Sequence, residues 1–306
     1  MRKPNSTDEF SLIDEIVLAL GDRAGNNDLV LGPGDDASVV NLSADHQMVS
    51  SLDALLQDVH FPAFADPEYI GYRAIMVAMS DLAAMGARGL YCLVGLSRPQ
   101  LEVDWVQSLA RGMANAAREI DVYVAGGNLA RGPCQINISV HGEVPNGTAI
   151  TRAKACVGDK VYVSGALGGA AKVVESKDYS TEQPLTQLQQ RYYQPKARLD
   201  LSEVLRATAH AAIDISDGLV QDAGHICAAS KVGINLNSQL IPIFQQAMLA
   251  HALYGGDDYE LLCTAAQLPT GFKEIGEVVA DHVGEVWVDH QPPDMATKNF
   301  GYNHFG

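Results

Sequence analysis

Several features that would assign a chain at a glance are missing from this one. No run of about eighteen apolar residues occurs, so no membrane-spanning helix and no membrane partner is expected. The opening residues Met1-Arg2-Lys3-Pro4-Asn5-Ser6-Thr7-Asp8-Glu9 lead into an amphipathic stretch rather than an uninterrupted apolar core, which argues against a signal peptide and for a cytoplasmic location. Basic residues are scarce: 21 Lys and Arg stand against 37 Asp and Glu, for a formal charge of −16. Nucleic acid and anionic membrane both call for a surplus of cations, so neither is an expected partner. The five cysteines, Cys92, Cys134, Cys156, Cys227 and Cys263, make no C-x-x-C pair and mostly have apolar neighbours, as reduced core residues do. The nine histidines are scattered without an H-E-x-x-H, so no zinc-hydrolase motif is present. Nor is there a Ser-His-Asp or Cys-His pattern with a local signature.

What is present is 306 residues, 47% of them hydrophobic, enough for a full core and for two domains, with extended and helical patterns alternating as in a mixed α/β chain. Leu29-Val30-Leu31, Val39-Val40 and Met48 to Leu52 read as short strands, and a helix is expected from Asp66-Pro67, with Ile70, Ala74, Val77, Ala78, Leu82 and Met85 at helical spacing before Gly86. Val103, Val106, Leu109, Ala110, Met113 and Ala117 mark a second amphipathic helix, between strands at Leu90 to Leu96 and Val122 to Val124. Ile136, Ile138 and Val140 alternate with polar residues as in a half-buried strand. The pattern breaks at Asn146-Gly147, which places a domain boundary near residue 150: residues 1–150 first, residues 151–306 second. The second part shows a strand at Lys160 to Val163, a glycine-rich turn at Gly165 to Gly169, a polar Gln-rich stretch over 183–194, a strand at Ala211 to Ile215, a helix from Asp217 to about Ser230, and strands at Tyr259 to Thr264 and Gly284 to Val288.

Five acidic clusters stand at the ends of apolar segments: Gly34-Asp35-Asp36, Ser51-Leu52-Asp53, Ser80-Asp81, Asp214-Ile215-Ser216-Asp217 and Gly256-Asp257-Asp258. Turns at strand ends can aim distant carboxylates at one cleft, and oxygen donors of this kind suit Mg²⁺, which keeps several waters and is completed by phosphate. Asp81 lies inside an apolar helical stretch, where an unpaired ionised carboxylate would cost several kcal/mol, so it is expected to be buried with a cation or strong donors. Along the strand, Asp214 and Ser216 share a face, and Asp217 is placed to cap the helix that follows. Gly32-Pro33-Gly34-Asp35-Asp36-Ala37 fits G-x-G-x-x-A, yet Val39-Val40 follow where a dinucleotide site needs a helix. Gly165 to Lys172 lacks the spacing of a P-loop and reads as a tight turn into a helix.

Gly34-Asp35-Asp36-Ala37, Asp53 with Val59-His60-Phe61, Ser80-Asp81-Leu82-Ala83-Ala84-Met85-Gly86-Ala87, Ile213-Asp214-Ile215-Ser216-Asp217-Gly218-Leu219 and Gly255-Gly256-Asp257-Asp258-Tyr259-Glu260-Leu261-Leu262 together resemble the thiamine-monophosphate kinase family. Single motifs are shared with aminoimidazole ribonucleotide synthetase and selenophosphate synthetase, but their order and the string from Ser80 to Ala87 are specific to the kinases. The resemblance implies a two-domain aminoimidazole-ribonucleotide-synthetase-like fold. Its first domain would bind ATP and metal and pair its sheet with that of a second copy, forming a barrel in a homodimer, and an α+β domain would follow. It implies ATP and thiamine monophosphate as substrates and several Mg²⁺ ions as cofactors, with direct in-line transfer and no phosphoenzyme. By position Asp36, Ser51, Asp53, Asp81, Asn128, Asp214 and Asp217 are the expected metal ligands. Gly127, Asn128, Arg152 and Ser216 are the expected ATP contacts, and His60, Asp257 and Phe300 the substrate contacts. The chain departs from the family where Asn128 and Leu52 replace a usual Asp and Thr, Asp257 a usual Glu, and Asn299 a tail aromatic beside Phe300.

Overall fold

The computed structural model describes residues 9–25, 29–33 and 36–293. Its residues divide into two compact units: Met1–Met79 with Gly89–Glu143, and Ser80–Arg88 with Val144–Gly306. Phe300 and Asn299 in the tail, and Gly34-Asp35 of the first acidic motif, lie outside the described residues.

In the first unit, helix α1 (Glu9–Leu20) precedes strands β1 (Leu29–Leu31), β2 (Val39–Val40) and β3 (His46–Leu56). Helix α2 (Pro67–Ala84), β4 (Arg88–Arg98), α3 (Val103–Glu119), β5 (Tyr123–Arg131) and β6 (Gln135–Pro145) follow, with Ser80–Arg88, from the end of α2 to the start of β4, counted in the second unit. Asp66 starts α2 by accepting from Glu68 N–H at 2.9 Å, the role the Asp-Pro pair suggests. Residues 71–80 of this helix are buried without a break. A helix buried on all sides belongs inside a core, and this one crosses α3 at backbone contact: a Cβ on Gly112 would strike Glu68 O, and one on Gly71 would strike Leu109 O. The four-stranded sheet runs β3-β6-β4-β5, and on β6 Ile136, Ile138 and Val140 are fully buried, as their alternation requires.

The second unit holds β7 (Lys160–Val163), α4 (Gly169–Ser176), α5 (Gln187–Tyr193), α6 (Ser202–Thr208), β8 (Ala211–Asp214) and α7 (Leu219–Ser230). It ends with β9 (Gly233–Leu236), α8 (Leu249–Tyr254), β10 (Leu261–Ala265), β11 (Lys273–Val279) and β12 (Val286–Val288). Its six-stranded sheet is ordered β12-β9-β11-β7-β10-β8 and has a core on each face. Strand periodicity sorts the side chains: Val161, Val163, Ile213 and Leu262 join Leu219, Ile226 and Leu253 on one side. Tyr162, Ala212, Leu261 and Cys263 join Ala83, Ile150 and Leu205 on the other. The polar Gln-rich stretch contains α5: Thr186 and Gln189 form a reciprocal capping box at its start.

Of the cysteines, Cys92, Cys227 and Cys263 are buried free thiols, Cys134 is half-buried, and Cys156 is exposed. Among the described residues no helix is long and apolar enough to cross a membrane.

Candidate active site

The apolar run of β8 ends at Asp214, whose Oδ2 accepts from Ser80 Oγ at 2.8 Å. Both are buried, Ser80 completely and Asp214 to 5% exposure, so a carboxylate is held in a poorly solvated place with a hydroxyl aimed at it. Asp81 corrects an expectation: it is half-buried, the first residue after the fully buried run of α2 to reach the surface. The helix end that presents Ser80 and Asp81 is sharply terminated. Gly86 takes φ 69°, Gly86 N–H donates to Ala83 O and Ala87 N–H to Leu82 O, each at 2.9 Å, which is the Schellman pattern.

Beyond Asp214 the chain runs beside the Gly-Gly-Asp-Asp-Tyr-Glu segment. Ile215 N–H donates to Glu260 O and Tyr259 N–H to Ile215 O at 2.8 Å, and Asp257 N–H to Ser216 O at 2.9 Å. Two sequence motifs more than forty positions apart are thereby brought together, with Ser216, Asp217 and Asp257 on adjoining backbone. Gly256 is required here, since a Cβ would strike Ser216 O. Asp217 does not cap α7: the N-cap is Gly218, which has no side-chain cap. Asp222, one turn into the helix, reaches back instead, its Oδ2 accepting from the N–H groups of Ser216, Asp217 and Gly218 at 3.0–3.1 Å. Burial pushes the Asp222 pKa up to about 7 against the pull of those three bonds. Asp217 Oδ2 accepts from Gln221 Nε2 at 3.1 Å.

The neighbouring acids also organise the loop. Both carboxylate oxygens of Asp258 lie within 2.9 Å of Gly168 N–H, and burial raises its pKa to about 8. Glu260 is buried and ion-paired, taking Arg198 Nη1 at 2.8 Å, Arg191 Nη2 at 3.1 Å and Ser164 Oγ at 2.6 Å. Sequence reasoning gave Asp222 and Glu260 no role and counted Asp258 only as a member of an acidic cluster. Their signal was a carboxylate within or one turn beyond a glycine-rich turn, and only the fold separates such residues from solvent-facing ones. Arg152 is exposed, and its carbonyl accepts from Ser230 Oγ at 2.7 Å.

Asp36, Ser51, Asp53, His60, Gly127 and Asn128 belong to the first unit. Ser51 and Asp53 share one half-buried face of β3, with Leu52 66% exposed on the other. Gly127 and Asn128 sit on β5 opposite Val94 and Gly95 of β4, and a Cβ on Gly127 would strike Val94 O. β3 and β5 are opposite edges of the sheet, with β6 and β4 between them, so the fold of one chain does not make these two pairs strand neighbours. Asp36 is exposed. Leu56 N–H donates to His60 Nδ1 at 3.0 Å, which fixes the ring's orientation and puts the neutral ring's proton on Nε2.

The chain matches the models for the AIR synthase related protein N-terminal domain over residues 34–144 and C-terminal domain over residues 157–268. It is 33% identical to thiamine-monophosphate kinase of Escherichia coli, covering 97% of this chain and 98% of that one. It is 32% identical to the kinase of Aquifex aeolicus at the same coverage. Among solved structures, thiamine-monophosphate kinase of Stenotrophomonas maltophilia superposes with a TM-score of 0.82 at 35% identity, over 93% of this chain and 97% of that one. AaThiL complexed with AMPPCP and TMP superposes with a TM-score of 0.78 at 30% identity, over 100% and 99%. With relatives of that identity matched end to end, and with both domain models in order, the chain belongs to the thiamine-monophosphate kinase family within the AIR synthase related proteins.

Proposed function

We propose that this chain transfers the γ-phosphoryl group of ATP to the phosphate of thiamine monophosphate, giving thiamine diphosphate and ADP. The observation that carries the reading is the end-to-end likeness to a kinase solved with an ATP analogue and TMP together. A phosphate oxygen of the acceptor attacks the γ-phosphorus in line, the bond to the β,γ-bridging oxygen breaks, and ADP leaves with that oxygen's electrons. Two polyanions must be brought together for this, so charge neutralisation and alignment matter more than a covalent nucleophile.

The donors at the assigned positions fit Mg²⁺. Asp36, Ser51, Asp53, Asp81, Asn128, Asp214 and Asp217 offer only oxygen, the donor of a hard cation. The Ser80 bond holds the buried Asp214 carboxylate in one orientation, as a ligand should be held. When bound, the metal neutralises the phosphate oxygens. In our reading Asp222 shapes the backbone that presents Ser216 to ATP, Arg152 supplies a cation, and His60 Nε2–H and Asp257 meet the acceptor. A cytoplasmic location, where ATP is abundant, goes with this chemistry.

We also assign the chain to a homodimer. On β3 the face carrying Met48, Ser50, Leu52, Ala54 and Leu56 is exposed, with Met48 at 49% and Leu52 at 66%. β3 is an edge strand, and an exposed apolar edge is a surface that proteins ordinarily cover.

The test is formation of thiamine diphosphate from ATP, Mg²⁺ and thiamine monophosphate by purified protein, followed by chromatography. The product should require all three, and Asp214→Asn, which keeps the size of the side chain and an oxygen for Ser80, should lower kcat by about 100-fold or more. A folded protein that binds ATP but makes no diphosphate would sink the assignment.

A further inference from the structure

Cys156, Asp159 and His210 form a cluster that phosphoryl transfer leaves unused. Cys156 to Asp159 is a tight turn in which Gly158 takes φ 96° and Asp159 N–H donates to Cys156 O at 3.0 Å. Asp159 Oδ2 in return accepts from Cys156 N–H at 2.8 Å. Two bonds tie the turn to β11: Gly158 N–H to Val278 O at 2.9 Å and Val278 N–H to Asp159 O at 2.8 Å. His210 stands just before β8, anchored by its N–H on Thr264 O at 2.8 Å, and its Nδ1 lies 2.9 Å from both oxygens of Asp159. The thiol sulfur, a carboxylate oxygen and a ring nitrogen all lie within 4.8 Å of one another. The base of the cluster is closed and its mouth open: the Asp159 side chain is 4% exposed, that of His210 42%, and Cys156 is exposed.

We propose that Cys156 Sγ, an Asp159 carboxylate oxygen and His210 Nδ1 bind a divalent transition-metal ion of the zinc class, with water in the open fourth position. One thiolate, one imidazole and one carboxylate are the donors such an ion selects, whereas Mg²⁺ prefers oxygen alone. Bonds of about 2.0–2.3 Å to a tetrahedral centre put ligand atoms roughly 3–4 Å apart, so about 1 Å of closure completes the site. On binding, the Cys156 thiol releases its proton to solvent. The proton between His210 Nδ1 and Asp159 gives way to the metal, and the neutral ring carries its proton on Nε2. The ion joins the turn before β7 to the start of β8 across the intervening β10, a staple between strands that share no hydrogen bonds. Its effect is on the stability of the second unit, not on the phosphoryl chemistry.

Tag-free, reduced, metal-free protein in excess Mg²⁺ is titrated with Co²⁺, a spectroscopic stand-in for Zn²⁺. One equivalent should give a thiolate-to-cobalt charge-transfer band and the visible bands of a four-coordinate ion, both bleached by Zn²⁺ and untouched by further Mg²⁺. Cys156→Ser should abolish the charge-transfer band, and His210→Ala should weaken Co²⁺ binding more than about tenfold, the low end of what losing even an outer-shell partner costs. Both substitutions are at exposed or half-exposed side chains, and a circular dichroism spectrum matching the parent verifies their folding. Cys92, Cys227 and Cys263 are buried and Cys134 is half-buried, so Cys156 is the one exposed thiol, and loss of the band in Cys156→Ser assigns it to that sulfur. Absence of the band at stoichiometric Co²⁺, its survival in Cys156→Ser, or undiminished affinity in His210→Ala would each overturn the site. Mg²⁺-dependent kinase turnover is expected to be unchanged in Cys156→Ser, so the two readings fail separately.

Discussion

Asp258 sets burial against hydrogen bonding at a single carboxylate. Only 3% of it is exposed, its two oxygens share Gly168 N–H, and burial holds its pKa at about 8. An unfolded Asp titrates near about 4, so between that pH and about 8 the folded chain keeps a proton the unfolded chain has lost. The folded state then binds more protons, and this residue's contribution to stability is full below about 4 and is lost as the pH rises through about 8. Asp258→Asn retains an oxygen for Gly168 and removes the titration. Measured by urea unfolding at about pH 5 and about pH 9, the variant should gain on the parent by more than about 1.4 kcal/mol at the higher pH, the equivalent of one pKa unit. An equal difference at both pH values would mean that burial does not keep Asp258 protonated. The residue scale also shows what a sequence can carry. Asp214 and Asp217 stand out because a carboxylate at the end of an apolar run needs a reason. Ser80 as the partner of Asp214 does not stand out, since 134 positions separate them, and neither does Arg191, which lies in a polar stretch and reaches Glu260 only through the fold.

At the scale of elements, the crossing of α2 and α3 depends on two glycines whose importance no local rule reveals. By helix propensity alone Gly112→Ala should stabilise α3 by about 1 kcal/mol. The added methyl would instead meet the carbonyl of Glu68, which is backbone and cannot rotate away. Overpacking of this kind costs about 1–3 kcal/mol, so the expected result is a net loss of about 1–2 kcal/mol, read as a lowered thermal midpoint. A raised midpoint would show that the helices separate without cost. The helices themselves were legible: Ile70 through Met85 and Val103 through Ala117 repeat apolar residues at helical spacing over several turns. α5 was hidden because its composition is Gln-rich, and the pair that marks its start, Thr186 with Gln189, is a weak signal without an apolar run behind it. β11 was hidden for another reason. Lys273, Glu274 and Glu277 give it a charged face, while Ile275 and Val278 are buried across a bulge that breaks the alternation.

At the scale of the whole molecule, the exposed face of β3 and the charge of −16 act in opposite directions on self-association. Two copies so charged repel, and that repulsion is long-ranged and falls with salt over a Debye length of about 8–10 Å. The attraction is short-ranged: covering Met48, Leu52 and Leu56 removes apolar surface from water at about 25 cal/mol per Å². The dimer we assign should therefore tighten as ionic strength rises, opposite to an association driven by complementary charge. Leu52→Lys places a cation in the middle of that face without touching the core, because Leu52 points away from the side that carries buried Leu55. Light scattering at matched concentrations should find the parent with twice the mass of one chain and Leu52→Lys shifted towards a single chain, with its thermal midpoint as an isolated chain preserved. In an acidic protein a lone lysine ought to reduce repulsion, so weaker association in this variant would identify apolar contact, rather than charge, as what holds the two copies together. A parent of single-chain mass at high salt, or a variant that associates as tightly as the parent, would leave the β3 face without a mate.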